Sequence, residues 1–245
     1  MAKAPAPDQR TLLEVQEADL QLTQARHRRN TLPVIAQIEE LTTRAADMDE
    51  ERVARGTEVS DLRREVAKAE DDVQSVRARA QRDEARLASG EGATSKDLQA
   101  LQSELEVLAH RQSALEDIEI EAMERLETAE KAQADAAAQH EQITAQIAEL
   151  TDERDHAQTR IDSESATLEL ARAEAVEGVD AGLLAMYEKQ RAQHGVGAAA
   201  LTGSTCGGCH MDLNPVDLKR MKSAPADEVV RCEECGWILV REEAA

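Results

Sequence analysis

Four cysteines near the end of the chain form two closely spaced pairs, Cys206 with Cys209 and Cys232 with Cys235. The spacing within each pair lets two thiolates occupy one edge of a tetrahedral Zn²⁺ site. Two such pairs complete a closed structural site, with four sulfur ligands and no position left for a substrate. Glycines that permit tight turns stand beside the cysteines at Gly207, Gly208 and Gly236. The pattern therefore predicts one Zn²⁺ held by the four cysteines of a zinc ribbon.

Other chemistry is compatible with parts of this pattern. One Cys-x-x-Cys pair alone can be a redox dithiol, but the sequence shows no βαβ setting that would activate a thiol. The run Cys206-Gly-Gly-Cys209-His210 also matches the attachment motif for c-type haem. His210 is an alternative zinc ligand, although four thiols already fill the site. Because we expect no secretory leader in residues 1–7, zinc is favoured over haem and over disulfides.

A cationic segment lies between the two cysteine pairs. Asn214 and Pro215 predict the start of a short helix, and this helix carries Lys219, Arg220 and Lys222. These cations form either a solvated face or a contact surface for phosphate or for an acidic protein. The candidate partner-binding residues are Lys219, Arg220, Lys222 and, as an apolar anchor or stacking surface, Trp237.

The ribbon is too small to fold on apolar burial alone. Residues 201–245 contain a single aromatic side chain, and modules of this kind commonly fold only when they bind metal. The residues predicted to form its small core are Leu213, Val216, Leu218, Met221, Val229, Val230, Trp237, Ile238 and Val240.

Upstream of the cysteines, apolar residues recur every seven positions. In the first segment one row of this repeat, interrupted at His27 and Arg55, is Leu13, Leu20, Val34, Leu41, Met48, Leu62, Ala69 and Val76. In the second segment one row is Leu101, Leu108, Leu115, Ala122, Ala129, Ala136, Ile143, Leu150 and Ala157. A second row lies three or four residues away in each segment, which is the pattern of a coiled-coil seam. The predicted fold is mostly α: a long antiparallel coiled-coil helical hairpin followed by a small C-terminal zinc ribbon.

Interruptions of the repeat predict where the helices begin and end. Gly90 and Gly92 can adopt the positive φ angles that end a helix. Thr94, with Asp97 three residues later, predicts a cap for the next helix. Pro33 predicts that a helix starts or bends there, so that the residues before it form a separate or bent helix.

The sequence also predicts how the two parts are joined. Asp180 is expected to cap a short helix that carries Tyr187 and ends near Gly195, with a short strand leading from there into the ribbon. Tyr187, the single tyrosine, is expected to pack between the hairpin and the ribbon. The predicted domains are a hairpin at 1–178 with its loop at about 89–95, a connecting helix and strand at 179–200, and the zinc ribbon at 201–245.

Charge and composition narrow the functional classes. The formal net charge is −21, and an acidic protein does not gather on polyanions by charge alone. No stretch approaches the roughly 20 apolar residues needed to span a bilayer. We therefore expect a cytoplasmic protein without membrane contacts. The histidines and carboxylates form no catalytic constellation in the sequence, so we expect no enzyme activity. The sequence leaves open whether the chain is a monomer or a homodimer.

The two ribbon motifs, Cys-Gly-Gly-Cys-His-Met and Cys-Glu-Glu-Cys-Gly-Trp-Ile-Leu, together with the hairpin, resemble the bacterial four-cysteine zinc-ribbon family with a long N-terminal helical hairpin. That family usually ends in Cys-Gly-Arg-Ile-Leu-Tyr, whereas Trp237 here replaces the arginine and Val240 the tyrosine. The resemblance implies a non-enzymatic role in binding protein partners of the transcription apparatus or nucleic acid. We therefore expect an adaptor that binds a protein partner, with nucleic-acid binding through the ribbon as the alternative.

Overall fold

The computed structural model describes residues 2–90 and 94–241. The helices are α1 (Ala6–Asn30), α2 (Pro33–Ser89), α3 (Ser95–Val176), α4 (Ala181–His194) and α5 (Pro215–Ser223). The strands are β1 (Ala198–Thr202), β2 (Thr205–Cys206), β3 (Val230–Arg231) and β4 (Ile238–Arg241). The predicted fold class is confirmed: a long helical hairpin precedes a small C-terminal region of strands that contains the zinc ribbon.

The chain divides into two compact units. We call Ala36–Thr151 the hairpin unit, and Met1–Ile35 together with Asp152–Ala245 the ribbon unit. The first helix thus belongs to the same unit as the cysteines, although nearly the whole chain separates them in sequence. This division does not test the predicted domain boundaries at residues 178 and 200, which stay a prediction.

In the hairpin unit, α2 and α3 pack antiparallel along the predicted heptad rows. Val59, Leu62 and Ala129 are buried together, each at most 6% exposed. Buried positions that recur at intervals of seven residues continue the seam at Leu62, Ala69 and Val76 on α2, and at Leu108, Ala122, Ala129, Ala136 and Ile143 on α3. This periodic burial is the main stabilising interaction of the unit, because apolar area removed from water contributes about 25 cal/mol per Å².

Ion pairs between the two helices accompany the seam on the surface. Arg63 contacts Glu130 at 2.7 Å and Arg77 contacts Glu116 at 2.6 Å. Both arginine side chains are more than half exposed, so each pair stabilises the hairpin by less than about 1 kcal/mol. The acidic character of α3 is therefore only partly offset by arginines of α2.

The helix ends follow local sequence signals. Gly90 has a φ of +56°, and the backbone N–H of Thr94 donates to the Asp97 carboxylate at 2.9 Å. The Asp97 N–H in turn donates to the Thr94 hydroxyl at 3.3 Å, which completes the predicted cap. Gly92 lies outside the described residues. At the other break, α1 ends at Asn30 and α2 begins at Pro33, which confirms the predicted helix start.

The strands form one sheet in the order β2-β1-β4-β3, with β1 parallel to β4 and the other pairs antiparallel. Because side chains alternate between the two faces of a strand, neighbouring residues enter different cores. Ile238 and Val240 pack with α1 and α4, whereas Leu239 between them packs with the cysteines. Both faces of the sheet are therefore buried. We call them the helix face and the cysteine face.

The helix face is covered by α1 in a register that differs from the predicted one. Leu12 and Val15 are fully buried there, whereas Leu20, assigned to the coiled-coil seam by its heptad position, is 43% exposed. Leu13 is only partly buried at the edge of the same core. The assignment of Leu20 to a seam was wrong, because α1 packs against a sheet as well as against a helix. The row of α1 residues buried against the sheet therefore includes Leu12 and begins one residue before the predicted row, which began at Leu13.

Polar side chains of α1 also bind the backbone of the ribbon. The Gln16 side-chain oxygen accepts a hydrogen bond from the Gly197 N–H at 2.8 Å, directly before β1. Gln9, only 3% exposed, donates to the carbonyls of Ala4 and Ala226. These bonds join α1 to the backbone before β1 and before β3.

The N-terminal residues extend the sheet edge. The Ala4 N–H donates to the Asp227 carbonyl at 2.8 Å, and the Val229 N–H donates to the Ala2 carbonyl at 3.0 Å. Lys3 forms the bridge between these two bonds and pairs with the Asp227 carboxylate at 2.9 Å. Residues 2–4 are thus hydrogen-bonded to residues 227–229, directly before β3.

Tyr187 is the centre of a buried polar cluster beneath the helix face. Its side chain is fully buried, and its hydroxyl donates to the Asp19 carboxylate at 2.7 Å. Asp19, 3% exposed, also contacts Arg172 at 2.8 Å and Arg191 at 3.3 Å. The cluster joins α1, α3 and α4, and it confirms the packing role predicted for Tyr187. Removing one member of a buried ion pair typically costs 3–5 kcal/mol, because its partner is left buried with an uncompensated charge.

Tyr187 provides a direct test of the helix face. Burial raises the pKa of Tyr187 above its usual value near 10, and the hydrogen bond to Asp19 raises it further. A tyrosine whose folded-state pKa is raised stabilises the fold below pH 10, and that stability is lost as the pH rises beyond 10. Because the chain has one tyrosine, absorbance near 295 nm between pH 8 and 12 follows it alone.

We expect no titration near pH 10 in the native protein, and ionisation only in a cooperative step at higher pH that coincides with loss of structure. Protein in guanidinium chloride is the control and should titrate near pH 10. A native titration near pH 10 would contradict the burial of Tyr187.

Candidate metal centre and ribbon surface

The four cysteines are close enough to bind one metal ion. Their Sγ atoms all lie within 4.8 Å of one another. The Cys206–Cys235 and Cys209–Cys232 sulfur pairs are each 3.9 Å apart. A tetrahedral Zn²⁺ with Zn–S bonds of about 2.3 Å requires sulfurs about 3.8 Å apart. The donor set and its spacing therefore fit zinc, as predicted from the sequence.

The two cysteine pairs lie in turns with the same backbone hydrogen bonds. The Cys206 N–H donates to the Met211 carbonyl, and the Cys232 N–H donates to the Trp237 carbonyl, both at 3.0 Å. The residue after the second cysteine donates back to the first cysteine carbonyl at 2.9 Å in each turn, from His210 and from Gly236. The two turns are thus repeats of one structure, which places the four sulfurs symmetrically.

The same position in each turn requires a left-handed backbone. Gly236 has a φ of +76°, and His210 has a φ of +60° in the equivalent place. Glycine adopts this conformation freely, whereas histidine does so at some cost. Among the described residues the metal-binding group consists of the four cysteines, and His210 is outside it. His210 therefore has a backbone role in the turn, and the structure does not support it as the alternative ligand.

The environments of the sulfurs differ. Burial raises the pKa values of the Cys206 and Cys235 thiols. A hydrogen bond from the Met211 N–H lowers the pKa of Cys209. A bound Zn²⁺ takes up the thiolate forms and would offset the cost of burying charge at these positions. This environment suits a structural metal better than a free reactive thiol.

The cysteine face has a core that was predicted in part. Leu213, Met221 and Val230 are buried in it, as expected from the sequence. Val216 was predicted to belong to this core, but it is 74% exposed. The prediction was wrong because Val216 lies on the opposite side of α5 from Met221. Three buried members of this core were missed: Ala199, Leu201 and Leu239.

Trp237 is half-buried and packs against the first cysteine turn. A Cβ atom added at Gly208 would collide with the Trp237 ring, so the indole lies directly over this glycine. The ring also belongs to the partly buried shell of the core around the cysteines. Trp237 therefore stabilises the metal site, and only the remainder of its surface is free for a partner.

The three cations of α5 have different surroundings. The Arg220 side chain contacts Glu233 at 2.5 Å and Asp217 at 3.3 Å, so its charge is shared within the ribbon. Lys219 and Lys222 are exposed and line a groove of about 440 Å³. Within residues 2–90 and 94–241, neither lysine forms an ion pair.

One residue that the sequence analysis missed organises the loop after α5. The Arg241 side chain donates to five backbone carbonyls between residues 221 and 228, among them Met221 at 2.9 Å and Ala224 at 2.8 Å. These bonds hold the C-terminal end of α5 against β4. A lone arginine at the end of a strand gives no sequence signal for such a role, because its acceptors are backbone carbonyls.

Comparisons with known families agree with this architecture. The CT398-like coiled coil hairpin domain matches residues 15–195, and the C4-type zinc ribbon domain matches residues 205–239. The four cysteines fall within the second match. Neither family is a class of enzymes.

Individual relatives match nearly the full length of the chain. The uncharacterized protein Rv2229c of Mycobacterium tuberculosis is 34% identical over 98% of both chains. A solved structure from Mycobacterium smegmatis is 33% identical, covers 98% of this chain and all of its own, and has a TM-score of 0.85. The structure of CT398 from Chlamydia trachomatis has a TM-score of 0.68 over 96% of this chain and 98% of its own, and its 17% identity shows a shared fold.

Within the described residues, none of the helices is long and apolar enough to cross a membrane.

The metal content tests the cysteine site. We expect about one Zn²⁺ per purified chain, and loss of most of it in Cys206→Ser and Cys232→Ser, because three thiolates bind zinc more weakly than four. Elemental analysis by mass spectrometry measures the ratio. His210→Asn is the matched control: asparagine tolerates the left-handed backbone, and zinc should be retained. Zinc loss in this control, with retention in the cysteine variants, would overturn the ligand assignment.

Chelation should affect the two faces of the sheet differently. Trp237 lies on the cysteine face and Tyr187 on the helix face, and each is the only residue of its type. Removing zinc should shift Trp237 fluorescence to longer wavelength, since the cysteine turns lose their cross-link. Tyr187 should still resist ionisation at pH 10, and helical circular dichroism should persist. Simultaneous exposure of Tyr187 would mean that the packing of the helix face also depends on the metal.

Proposed function

Because the chain belongs to the CT398-like coiled coil hairpin family and carries a C4-type zinc ribbon, we propose that it is a non-enzymatic adaptor whose ribbon binds a protein partner. The observation that carries the proposal is the outward face of α5, where Lys219 and Lys222 stand exposed beside the apolar side chain of Val216. Here an apolar side chain and two ammonium groups are presented together, so a protein partner could make both apolar and charged contacts with this face.

The metal centre supports a non-enzymatic role. Catalytic zinc sites keep a coordination position for water or substrate, whereas four clustered thiols fill a tetrahedral shell. The buried cluster around Tyr187 and Asp19 is fully occupied by its own ion pairs and hydrogen bonds. The cysteine cluster and the Tyr187–Asp19 cluster thus both serve to stabilise the fold, and the proposed partner-binding surface lies outside them.

Charge favours a protein partner over nucleic acid. Nucleic-acid affinity grows with the number of phosphates that cations neutralise. Arg220 is already paired with Glu233, so Lys219 and Lys222 are the cations of α5 that form no ion pair with the described residues, in a chain of net charge −21. Nucleic-acid binding through Lys219, Arg220, Lys222 and Trp237 is the alternative. It would give weak affinity with a salt slope of about −2.

The setting of this function is also a proposal. The resemblance described above implies partners from the transcription apparatus, and such partners would place the protein in the cytoplasm. The hairpin, whose helix α3 is acidic, would then have one of two roles. It would either hold a second partner apart from the ribbon or bind the ribbon's partner directly.

Capture from nuclease-treated extract tests the adaptor role. The full-length chain should retain a protein partner after nuclease treatment, and Lys219→Ala with Lys222→Ala should reduce recovery several-fold, since two exposed charged contacts are lost. Lys68→Ala with Lys131→Ala removes the same charge from exposed positions of the hairpin and should leave recovery unchanged. All variants are first checked for zinc content. Loss of the partner on nuclease treatment would instead support nucleic-acid binding.

A further inference from the structure

The outward side of α5 is a continuous surface on a rigidly held helix. Leu213, just before the helix, and Met221 are at most 6% exposed and anchor it to the cysteine face. A helix advances about 100° per residue, so Val216, Lys219 and Lys222 lie within an arc of about 120° on the other side. The Asn214 side chain caps the helix by accepting from the Val216 N–H at 2.9 Å. The surface is therefore already in place before any partner binds.

This surface combines apolar and cationic character. Val216 is 74% exposed, and an open groove beside it is lined by Pro215, Leu218, Lys219, Lys222 and Ser223. The aliphatic stems of the two lysines extend the apolar lining, while their ammonium groups reach solvent. A ligand that fits must offer both apolar side chains and negative charge.

Among the described residues, the acidic neighbours of the helix pair with Arg220 and not with the two lysines. Asp217 and Glu233, acidic neighbours of the helix, contact Arg220 at 3.3 and 2.5 Å. Arg220 thereby draws both carboxylates toward itself and leaves the positive charge of Lys219 and Lys222 available. In an acidic protein, two free cations beside an exposed valine form a local complement to an acidic ligand.

We propose that the face formed by Val216, Lys219 and Lys222 binds a short acidic segment of a partner protein, with an apolar side chain of that segment seated against Val216 and the Pro215–Leu218 groove. This inference rests on the proposed adaptor function and names the chemistry of the partner. A polyanion is a poorer fit, because phosphates gain nothing from Val216 and the groove. A long chain of phosphates would also meet the net charge of −21, whereas a short peptide meets only the local surface.

Selection from a random 12-residue peptide library on phage tests the proposal with full-length, zinc-loaded protein at about 150 mM salt. The wild type should enrich peptides that are net acidic and contain at least one large apolar residue. The strongest peptide is then synthesised, and its Kd is measured by fluorescence anisotropy. Lys219→Glu with Lys222→Glu should weaken binding at least tenfold, and Val216→Ser should weaken it at least threefold, because it removes apolar contact without changing charge.

Lys68→Glu with Lys131→Glu is the matched control, with the same change of net charge at exposed positions of the hairpin. This control should bind within twofold of the wild type. Zinc content near one per chain shows that the ribbon of each variant is folded.

Three results would overturn the proposal: no enrichment over the Lys219→Glu, Lys222→Glu variant, enrichment of basic peptides, or equal weakening in the hairpin control. Tighter binding of a 12-nucleotide single-stranded DNA than of the best peptide, lost in the Lys219→Glu, Lys222→Glu variant, would assign the face to nucleic acid instead. If peptide selection fails while nuclease-resistant capture of a protein partner persists, the adaptor function stands and its contact lies elsewhere.

Discussion

The burial of both faces of the β1–β4 strand pair is the constraint on which the ribbon unit depends. A small zinc-binding segment cannot supply two cores, and alternating side chains on β4 need one on each side. The cysteines and α5 provide the first core. The second core is formed with α1 and α4, and α1 contributes Leu12 and Val15 to it. Gln16, bonded to the Gly197 N–H, and Asp19, bonded to Tyr187, fix this helix in one register.

In this arrangement, the residues that stabilise the ribbon unit differ from those that are exposed for binding a partner. The apolar side chains of α1 that face the sheet are buried, and the zinc-binding cysteines lie in the two turns, with Trp237 packed beside them. Among the segments that the ribbon presents to solvent is α5, whose inner side is anchored by Met221 and whose outer side carries Val216, Lys219 and Lys222. A rigid helix that is held by a metal-stabilised core needs little reorganisation to bind, which favours affinity at a small surface.

Patterns among residues close in sequence predicted the helices, the helix cap and the metal site well. Features that depend on packing between distant parts of the chain were predicted less well. The heptad rows of α2 and α3, the Thr94–Asp97 cap and the spacing of the cysteines each depend on residues close in sequence, and the structure reproduces them. The register of α1 depends on a sheet nearly two hundred residues away, so Leu20 looked as suitable for burial as Leu12. Val216 was wrongly assigned to the core for the same reason. Both sides of this short helix carry apolar residues, so its sequence alone does not show which side packs against the core.

The most direct test of the central claim, that α1 completes the zinc ribbon, is urea unfolding of Leu12→Ala followed by Trp237 fluorescence. Leu12 is fully buried on the helix face, and Trp237 reports on the opposite face of the same sheet. If α1 supports the sheet, the Trp237 transition should move to lower urea by an amount equivalent to about 2–5 kcal/mol, as for other buried leucine truncations. A Trp237 transition that stays at its wild-type midpoint while only the helical signal changes would show that the ribbon folds without α1.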